Sequence, residues 1–359
     1  MMNQQLTINY KVNIMINNSI LSSAKKTALV AMLLAASVAF AEDAAKTQGT
    51  PAPEKPTVEQ IVDTLTKLSG GPHAGYRSNH AKGIVVQGEF VPANSAASLT
   101  KAVHMQSKPS PVVVRFSNAT GVPTIPDANG NAFPKGIAIR FQLEDGTYSD
   151  IVSISTNGFP AANPEDFLGL LNAIAATGSD AGKPSPIEQF LGTHPAAMQF
   201  VQMPKLPPVS FATQPFYGVN AFKFTNAAGK SQYARYRIRP VKGAAFLTKE
   251  QAVVAAPDYL FTDLPKRLSE NIVQYTLSAQ LAEPGDAIND ATKVWPEDRK
   301  QVLLGTISLK QVQANGAQFE KATMFNPLIL VDGIEASEDP ILLARPAAYA
   351  VSYGRRLGQ

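Results

Sequence analysis

The chain has 359 residues, 45% of them hydrophobic and 17% charged, which is enough apolar material for one large domain or two modest ones. It contains no cysteine, which excludes disulfides, iron–sulfur clusters and every other cysteine-ligated metal centre. Residues 42–359 carry 29 of the 32 basic side chains and all 28 acidic ones, a balance that does not indicate a nucleic-acid-binding or membrane-binding protein.

The first 41 residues have the features of a secretory signal. Lys25 and Lys26 precede the apolar run TALVAMLLAASVAF, and the small–any–small pattern AFA, typical of a cleavage site, ends at residue 41. The run is short for a membrane span, so an uncleaved anchor is the alternative. We therefore predict a cleaved signal peptide over residues 1–41, with Met15 as an alternative translation start and the bacterial periplasm as the destination.

A linker and a helix follow the signal. Residues 42–56, EDAAKTQGTPAPEKP, are polar, small and interrupted by proline, which predicts a flexible linker. Thr57 is the expected N-cap of a helix whose apolar residues share one face and which two glycines end. We predict a single domain over residues 57–359.

Short segments rich in β-branched and aromatic residues begin near residue 84 and are separated by Gly, Pro, Asn and Asp. Residues 215–240 predict a hairpin that turns at residues 226–230. Many strands at short spacing predict a closed or strongly curved antiparallel sheet. The segments are IVVQGEFVP, SPVVVRFSN, KGIAIRFQLED, YSDIVSIST, NAFKFTNAAG, SQYARYRIRP and ENIVQYTLSAQLA.

Helices interrupt the strands and end the chain. The segment NPEDFLGLLNAIAAT begins with Asn163 as a cap and Pro164 in the first helical position, and SPIEQFLGTHPAAMQFVQ follows it. Residues 339–357 predict the last helix. Pro346 fits best in the first turn of a helix that starts near Arg345.

The last helix carries four polar side chains on one stripe. Arg345, Tyr349, Ser352 and Arg356 are spaced i, i+4, i+7 and i+11, so Arg345 can reach Tyr349. A guanidinium beside a phenol favours the phenolate, an anionic ligand for ferric iron, and tyrosine is one of the axial ligands of haem. Judged on spacing alone, an amphipathic helix with a half-buried tyrosine and solvated arginines is the commoner explanation.

Six motifs in order carry a resemblance to a known family. RPAAYAVSYGRRLG resembles the proximal haem helix of the haem catalases, and FNPLILVDGIEASEDPILLAR resembles the segment before that helix. The resemblance covers about residues 58–359 and is nearest to the short periplasmic catalase-related peroxidases. It implies an α+β fold, a catalase-like antiparallel β-barrel with flanking helices and a C-terminal proximal haem helix. The other four motifs are YRSNHAKG, PVVVRFSNATG, PKGIAIRFQLEDGTYSDIVSIST and DATKVWPED.

The resemblance also implies site residues and a cofactor, haem b. His80 matches the distal histidine, which moves a proton between the two oxygens of bound peroxide, and Ser117 matches the serine that hydrogen-bonds this histidine. Tyr349 matches the axial ligand of the haem iron. The implied cofactor-binding residues are Arg77, Arg115, Phe167, Arg345, Tyr349 and Arg356.

The sequence departs from the catalase pattern in three places. Ile154 stands where haem catalases carry a distal asparagine, which helps to hold peroxide during dismutation. Val351 replaces an aspartate of the proximal helix, whereas Ser352 keeps the hydroxyl of the next residue. The C-terminal helical domain of large catalases and most of their N-terminal arm are absent, so we expect a monomer or dimer, and we assign no NADPH.

The sequence therefore predicts a haem-dependent peroxidase that reduces hydrogen peroxide or small organic peroxides with an organic donor, with weak catalase activity. Its expected partners are peroxide and a small-molecule electron donor, with no nucleic acid and no membrane after signal cleavage. One alternative is rearrangement of fatty-acid hydroperoxides, which Ile154 would suit. The other is a non-catalytic haem-binding protein, against which His80 argues because a carrier needs no acid–base residue.

Overall fold

The computed structural model describes residues 54–178 and 180–358. The predicted signal peptide, and the predicted linker as far as residue 53, lie outside the described residues. Within those residues, no helix combines the length and the apolar character that crossing a membrane requires.

The centre of the fold is a closed antiparallel barrel, formed within the described residues by eight strands. Going around it, the order is β1-β2-β3-β4-β5-β7-β8-β9, and β9 pairs back with β1. The short strands β6 and β10 extend the sheet from the edge of β7. The strands are β1 (Gly83–Pro92), β2 (Ser110–Ser117), β3 (Gly136–Gln142), β4 (Tyr148–Ile154), β5 (Phe216–Tyr217), β6 (Phe222–Thr225), β7 (Ser231–Pro240), β8 (Val273–Leu281), β9 (Gln301–Val312) and β10 (Ile334–Ala336).

The barrel interior is the main hydrophobic core, and strand alternation decides which residues leave it. In β2, Val112, Val114 and Phe116 are buried in this core. Because successive side chains of a strand point to opposite faces, Arg115 and Ser117 lie on the outer face of the barrel. Every strand run predicted from the sequence is a strand, and the predicted hairpin turns where expected, between β6 and β7.

Helices cover the outside of the barrel, and α1, α3 and α9 pack against one another. As predicted, Asn163 caps α3, since its side-chain oxygen accepts a hydrogen bond from the Asp166 amide at 2.8 Å. The helices are α1 (Thr57–Leu68), α2 (Ala96–Leu99), α3 (Pro164–Ala176), α4 (Pro186–Thr193), α5 (Pro195–Gln202), α6 (Lys249–Val254), α7 (Tyr259–Glu270), α8 (Gly316–Ala322) and α9 (Pro340–Leu357).

Two predicted helix starts are wrong. Thr57 is the first residue of α1 rather than its N-cap, because its hydroxyl bonds Glu165 at 3.2 Å instead of a backbone amide of its own helix. The last helix occupies the predicted segment 339–357, but the alternative start near Arg345, which Pro346 suggested, is wrong. The Asp339 carboxylate caps α9 and Pro340 occupies its first turn, so Pro346 lies inside the helix, where it removes one backbone hydrogen bond.

Candidate active site

A cavity of about 260 Å³ lies between the outer face of the barrel and helices α1, α3 and α9. Most of its wall is apolar, and α1 contributes four aliphatic side chains to it. The cavity gathers residues from both ends of the domain, so the motifs that are separate in sequence form one site. Its wall includes all eight residues predicted from the sequence, namely Arg77, His80, Arg115, Ser117, Phe167, Arg345, Tyr349 and Arg356.

On one side of the cavity, the Arg345 guanidinium is fixed against Tyr349. Arg345 Nε donates to Tyr349 Oη at 2.9 Å, Nη1 donates to Asn220 Oδ1 at 2.8 Å, and Nη2 donates to the Val152 carbonyl at 3.2 Å. Asn220 in turn donates to Asp339 at 2.8 Å. The guanidinium therefore cannot turn away, and it keeps a positive charge beside the phenol oxygen. This is the kind of outer support that orients a metal-ligating side chain.

His80 and Ser117 form the second polar pair of the cavity wall. His80 Nδ1 lies 3.0 Å from Ser117 Oγ, which leaves Nε2 for a molecule in the cavity. Burial, together with the positive charges of Arg115 and Arg77, lowers the pKa of His80 to about 3. The imidazole is therefore neutral near pH 7, the form in which a ring nitrogen can accept a proton.

Gly136 makes the contact between these two side chains feasible. A Cβ atom at residue 136 would lie 2.7 Å from Ser117 Oγ and 2.8 Å from His80 Nδ1, closer than carbon atoms approach such groups. Any larger residue would displace the pair. The sequence analysis did not identify Gly136 as a site residue, although it lies in the quoted motif PKGIAIRF.

The backbone at His80 has an unusual conformation, which the side-chain amide of Asn79 stabilises. His80 and Thr120 both have left-handed conformations, with φ of 56° and 73°. Asn79 Oδ1 accepts hydrogen bonds from both of their backbone amides, at 3.0 Å and 2.7 Å. Left-handed non-glycine residues cost on the order of 1–3 kcal/mol and persist only where neighbours fix them. Asn79 thus holds the imidazole where the chemistry needs it.

A cluster of arginines lies at one end of the cavity. Among the described residues, Glu320 accepts from Arg77 at 3.2 Å and from Arg115 at 2.9 Å, whereas the nearby Arg356 donates to the Lys321 and Thr323 carbonyls. Burial and the neighbouring guanidinium groups lower the pKa of Arg77 well below its usual range. Burial, and then Arg115, lower the pKa of Arg356 to about 10. The cluster therefore holds two more positive charges than negative ones.

The arginine cluster fits the two carboxylates of haem. Arg115 Nε is buried and has no hydrogen-bond partner among the described residues, so it has a proton to donate to a further acceptor. Gly83 leaves room for this guanidinium, because a Cβ atom there would lie 2.1 Å from Arg115 Nη2. Tyr349 would supply an axial oxygen, the arginines would neutralise the propionates, and the apolar walls would cover the ring.

The cavity wall near Ile154 is apolar. Ile154 packs with Phe159 and Phe167 against Val219 and Ile341, and the two phenylalanine rings have centroids 5.0 Å apart. The Ser155 hydroxyl is turned to the Lys135 backbone amide, 2.9 Å away. The wall therefore presents a hydrocarbon side chain at the position where the sequence comparison expected an amide.

The retained hydroxyl of α9 joins the two sides of the site. Ser352 Oγ accepts a hydrogen bond from the Ser78 backbone amide at 3.2 Å. This bond ties the helix that carries Tyr349 to the segment that carries Arg77 and His80. The sequence analysis noted that Ser352 keeps this hydroxyl, but it found no sign of Asn220 or Glu320, whose partners are distant in sequence.

An eight-stranded barrel whose outer face and helices enclose an arginine-supported tyrosine and a serine-bound histidine defines a β-barrel protein with a buried polar site. The family model described as Catalase matches residues 71–359, so the chain belongs to the catalase family. Among its relatives is a catalase-related peroxidase of Synechococcus elongatus, 32% identical over 304 residues, covering 84% of this chain and 88% of the relative. A catalase-related peroxidase of Mycolicibacterium paratuberculosis is 30% identical over 305 residues, covering 84% and 95%.

Solved structures show the same fold. A fungal catalase superposes with a TM-score of 0.70 at 24% identity, over 83% of this chain and 63% of that one. Catalase A from Saccharomyces cerevisiae gives 0.68 at 24% identity, over 83% and 64%. The chain thus spans less than two thirds of the length of these two proteins. The predicted catalase-like barrel with flanking helices is confirmed.

Proposed function

We propose that the protein is a haem-dependent peroxidase that reduces hydrogen peroxide or a small organic peroxide with electrons from a small organic donor, and that its cofactor is haem b. Membership of the catalase family and the likeness to catalase-related peroxidases make it an oxidoreductase acting on peroxide. The observation that carries the finer proposal is the placement of the Arg345–Tyr349 pair and the His80–Ser117 pair on the wall of one cavity.

Bound in this cavity, haem would supply the iron at which peroxide is reduced. The chain supplies the proton transfer. Neutral His80 takes a proton at Nε2 from one peroxide oxygen and returns it to the other, so that water departs rather than hydroxide. Ser117 holds the ring through Nδ1, and Arg345 maintains the positive charge beside Tyr349. The aliphatic wall of α1 keeps bulk water from the site.

Ile154 supports a peroxidase with weak catalase activity. Dismutation requires a second peroxide to be held while it gives up its electrons, and a hydrocarbon side chain offers it no hydrogen bond. Oxidation of an organic donor does not require a hydrogen bond from residue 154. The electrons in turnover are therefore expected to come mainly from the donor.

The test is purification with haem, an optical spectrum, and peroxide-dependent oxidation of a chromogenic donor. His80→Asn should keep haem and lower the rate with peroxide by about 10²–10⁴-fold, the usual contribution of an acid–base residue. His194→Gln, outside the cavity wall, is the matched control. Normal turnover by the His80 variant would contradict the acid–base role. Haem binding without any oxidation would instead indicate a haem carrier.

The apolar sector formed by Ile154, Phe159 and Phe167 favours one second candidate, rearrangement of a fatty-acid hydroperoxide. Such a reaction consumes the peroxide without an electron donor. Incubation of the holoprotein with a fatty-acid hydroperoxide alone, followed by product analysis, separates the two functions. Rearranged products formed at a rate above donor oxidation would replace the peroxidase proposal.

We also propose that the mature protein is periplasmic and a monomer or dimer. The support is the apolar run that Lys25 and Lys26 precede and the cleavage pattern ending at residue 41. N-terminal sequencing of the protein from a periplasmic fraction should begin at Glu42. A chain that begins at Met1 or Met15 and stays in the cytoplasm would contradict the proposal, and light scattering would give the number of subunits.

A further inference from the structure

A second cavity, also of about 260 Å³, adjoins the first. The two cavities share a wall formed by Arg77, Ser78 and Arg356. Two of these residues belong to the arginine cluster that fits the haem propionates. The same three residues line both cavities, and the bond from the Ser78 amide to Ser352 fixes this wall to α9. A molecule in the second cavity would therefore lie at the propionate edge of the haem site.

The charges around the second cavity favour a mono-anion. With two propionates bound, the cluster of Arg77, Arg115, Arg356 and Glu320 would be neutral overall. Asp63 and Arg355 line the cavity 2.7 Å apart, and Lys55, which lies outside the cavity wall, is 2.9 Å from Asp63. These three side chains together carry one positive charge in excess. A ligand that carries a single negative charge would neutralise it.

Two rings line the cavity and suit an aromatic ligand. Tyr76 is 50% exposed, so its ring is accessible as a stacking surface. His73 Nε2 lies 3.0 Å from the Ser69 carbonyl, which can only accept a hydrogen bond, so this nitrogen carries the ring proton. In the neutral ring, His73 Nδ1 is then left as a proton acceptor.

We propose that this second cavity binds the electron donor and that the donor is a small mono-anionic phenol, which rests on the peroxidase function proposed above. The donor gives one electron across the shared wall to the haem site. Its phenolic O–H bond breaks, the proton passes to His73 Nδ1, and a phenoxyl radical leaves. Two donors thus supply the two electrons and two protons that reduce one peroxide to two waters.

Binding of two matched phenols to the ferric holoprotein tests the site without turnover. Ferulate carries one carboxylate, and methyl ferulate is the same phenol without the charge. Isothermal titration without peroxide should give a dissociation constant for ferulate about fivefold lower than for methyl ferulate, the size expected of one partly screened charge. Equal constants for the two compounds would overturn the proposal.

The Arg355–Asp63 ion pair provides a matched pair of variants. Arg355→Gln and Asp63→Asn both break the same contact, but they change the local charge in opposite directions. Arg355→Gln should raise the ferulate dissociation constant about threefold, and Asp63→Asn should lower it about threefold. If both variants shifted the ferulate dissociation constant in the same direction, the effect would be structural only, and the proposal would be overturned. Arg239→Gln, which breaks the ion pair with Glu297, is the control.

Kinetic measurements then test whether His73 accepts the phenolic proton. His73→Gln should lower kcat for ferulate about a hundredfold, the lower end of acid–base contributions, and leave kcat for ferrocyanide unchanged, because ferrocyanide loses an electron and no proton. An equal loss for both donors would contradict the role of His73. Charge-dependent ferulate binding with no oxidation of any donor would contradict the peroxidase function and keep the anion site. Ferulate oxidation without charge-dependent binding would contradict the anion site and keep the peroxidase function.

Discussion

The Arg345 guanidinium lies 2.9 Å from the Tyr349 hydroxyl oxygen, and Asn220 connects the same guanidinium to Asp339, the residue that caps the N-terminus of the helix. The start of α9 and its central tyrosine are thus joined through side chains as well as through the helix. Tyr349 is therefore held in one orientation toward the cavity.

Tyr349→Phe should abolish haem binding, because it removes the oxygen that would ligate iron; within the helix it also removes the acceptor of the Arg345 Nε hydrogen bond. Haem per chain and the optical spectrum after purification measure the effect. Tyr353→Phe is the matched control, since Tyr353 lies one turn later on α9 and its hydroxyl bonds the Ala322 carbonyl. A Tyr349 variant with full haem content and an unchanged spectrum would disprove the assignment of the axial ligand.

Ile154→Asn should increase oxygen release from peroxide. An amide at this position would offer peroxide the hydrogen bond that the hydrocarbon side chain lacks, and one such donor changes rates by about 10²–10³-fold at preorganised sites. An oxygen electrode measures the rate, and oxidation of a chromogenic donor is followed in parallel. Ile154→Leu keeps the apolar wall and is the control. Equal oxygen release by both variants would show that this position does not limit dismutation.

Gly136→Ala should slow the reaction with peroxide while haem stays bound. The added methyl group would lie within 3 Å of both His80 and Ser117 and would force the imidazole from its place. Stopped-flow mixing with peroxide measures the rate, and haem content reports on the cavity. Gly192→Ala is the control, because the space around that helical glycine is open. A normal rate in the Gly136 variant would mean that the histidine does not require this position.

A buried charge network supports the distal segment from behind. Lys82, from the motif HAKG, donates to Asp127 at 2.7 Å, and Asp127 also accepts from Asn118 at 2.7 Å and from the Leu260 amide at 2.8 Å. Lys135 is fully buried beside this group and donates to Asn118 at 2.7 Å. Burial lowers the pKa of Lys135 to about 7. Asp127 is thus the buried carboxylate beside the two enclosed lysines, and Lys82 also pairs with the exposed Asp258 at 2.6 Å.

Asp127→Asn should reduce the free energy of unfolding by about 3 kcal/mol, the lower end of the usual cost of breaking a buried ion pair, because Lys82 keeps the exposed Asp258 carboxylate as a partner. Urea unfolding followed by circular dichroism gives the value. Glu144→Gln, which breaks the exposed pair with Lys108, should cost less than about 1 kcal/mol. Equal losses for the two variants would mean that the buried network does not stabilise the fold.

His104 should make stability depend on pH. Its side chain is buried against Phe141, with ring centroids 4.6 Å apart, and burial lowers its pKa to about 4. At pH values below the ordinary histidine pKa of about 6.5, His104 is protonated in the unfolded chain but stays neutral in the folded chain. The stabilising contribution is therefore complete above pH 6.5 and falls by about 1.4 kcal/mol per pH unit as the pH drops toward 4.

Urea unfolding at pH 7 and pH 5 compares the wild type with His104→Phe, which cannot titrate. In the variant, the free energy of unfolding should fall less steeply as the pH drops, and the difference in slope should correspond to about one bound proton. This holds whatever the stability of the variant at pH 7. The same slope in both proteins would show that another group is responsible.

Local patterns predicted the barrel, and the ordered motifs named residues that the structure brings to one cavity wall, because strand alternation and these motifs lie within short segments. They did not reveal β9, in which Gly305 interrupts the apolar pattern. That glycine is required, since a Cβ atom there would lie 2.4 Å from the Val91 carbonyl oxygen. Asn220 and Glu320 were also missed. Their importance comes from contacts with residues far away in the chain, for which a single sequence carries no signal.

The left-handed backbone at His80 restricts how mutagenesis at this position can be interpreted. Asparagine and glycine tolerate that conformation, whereas valine, isoleucine and threonine would strain the turn before any question of proton transfer arose. A randomised library screened only for pigmented colonies should consequently be enriched in Asn and Gly at codon 80. Such a screen would report the stereochemistry of the turn, and a second screen with peroxide would be needed to recover the imidazole.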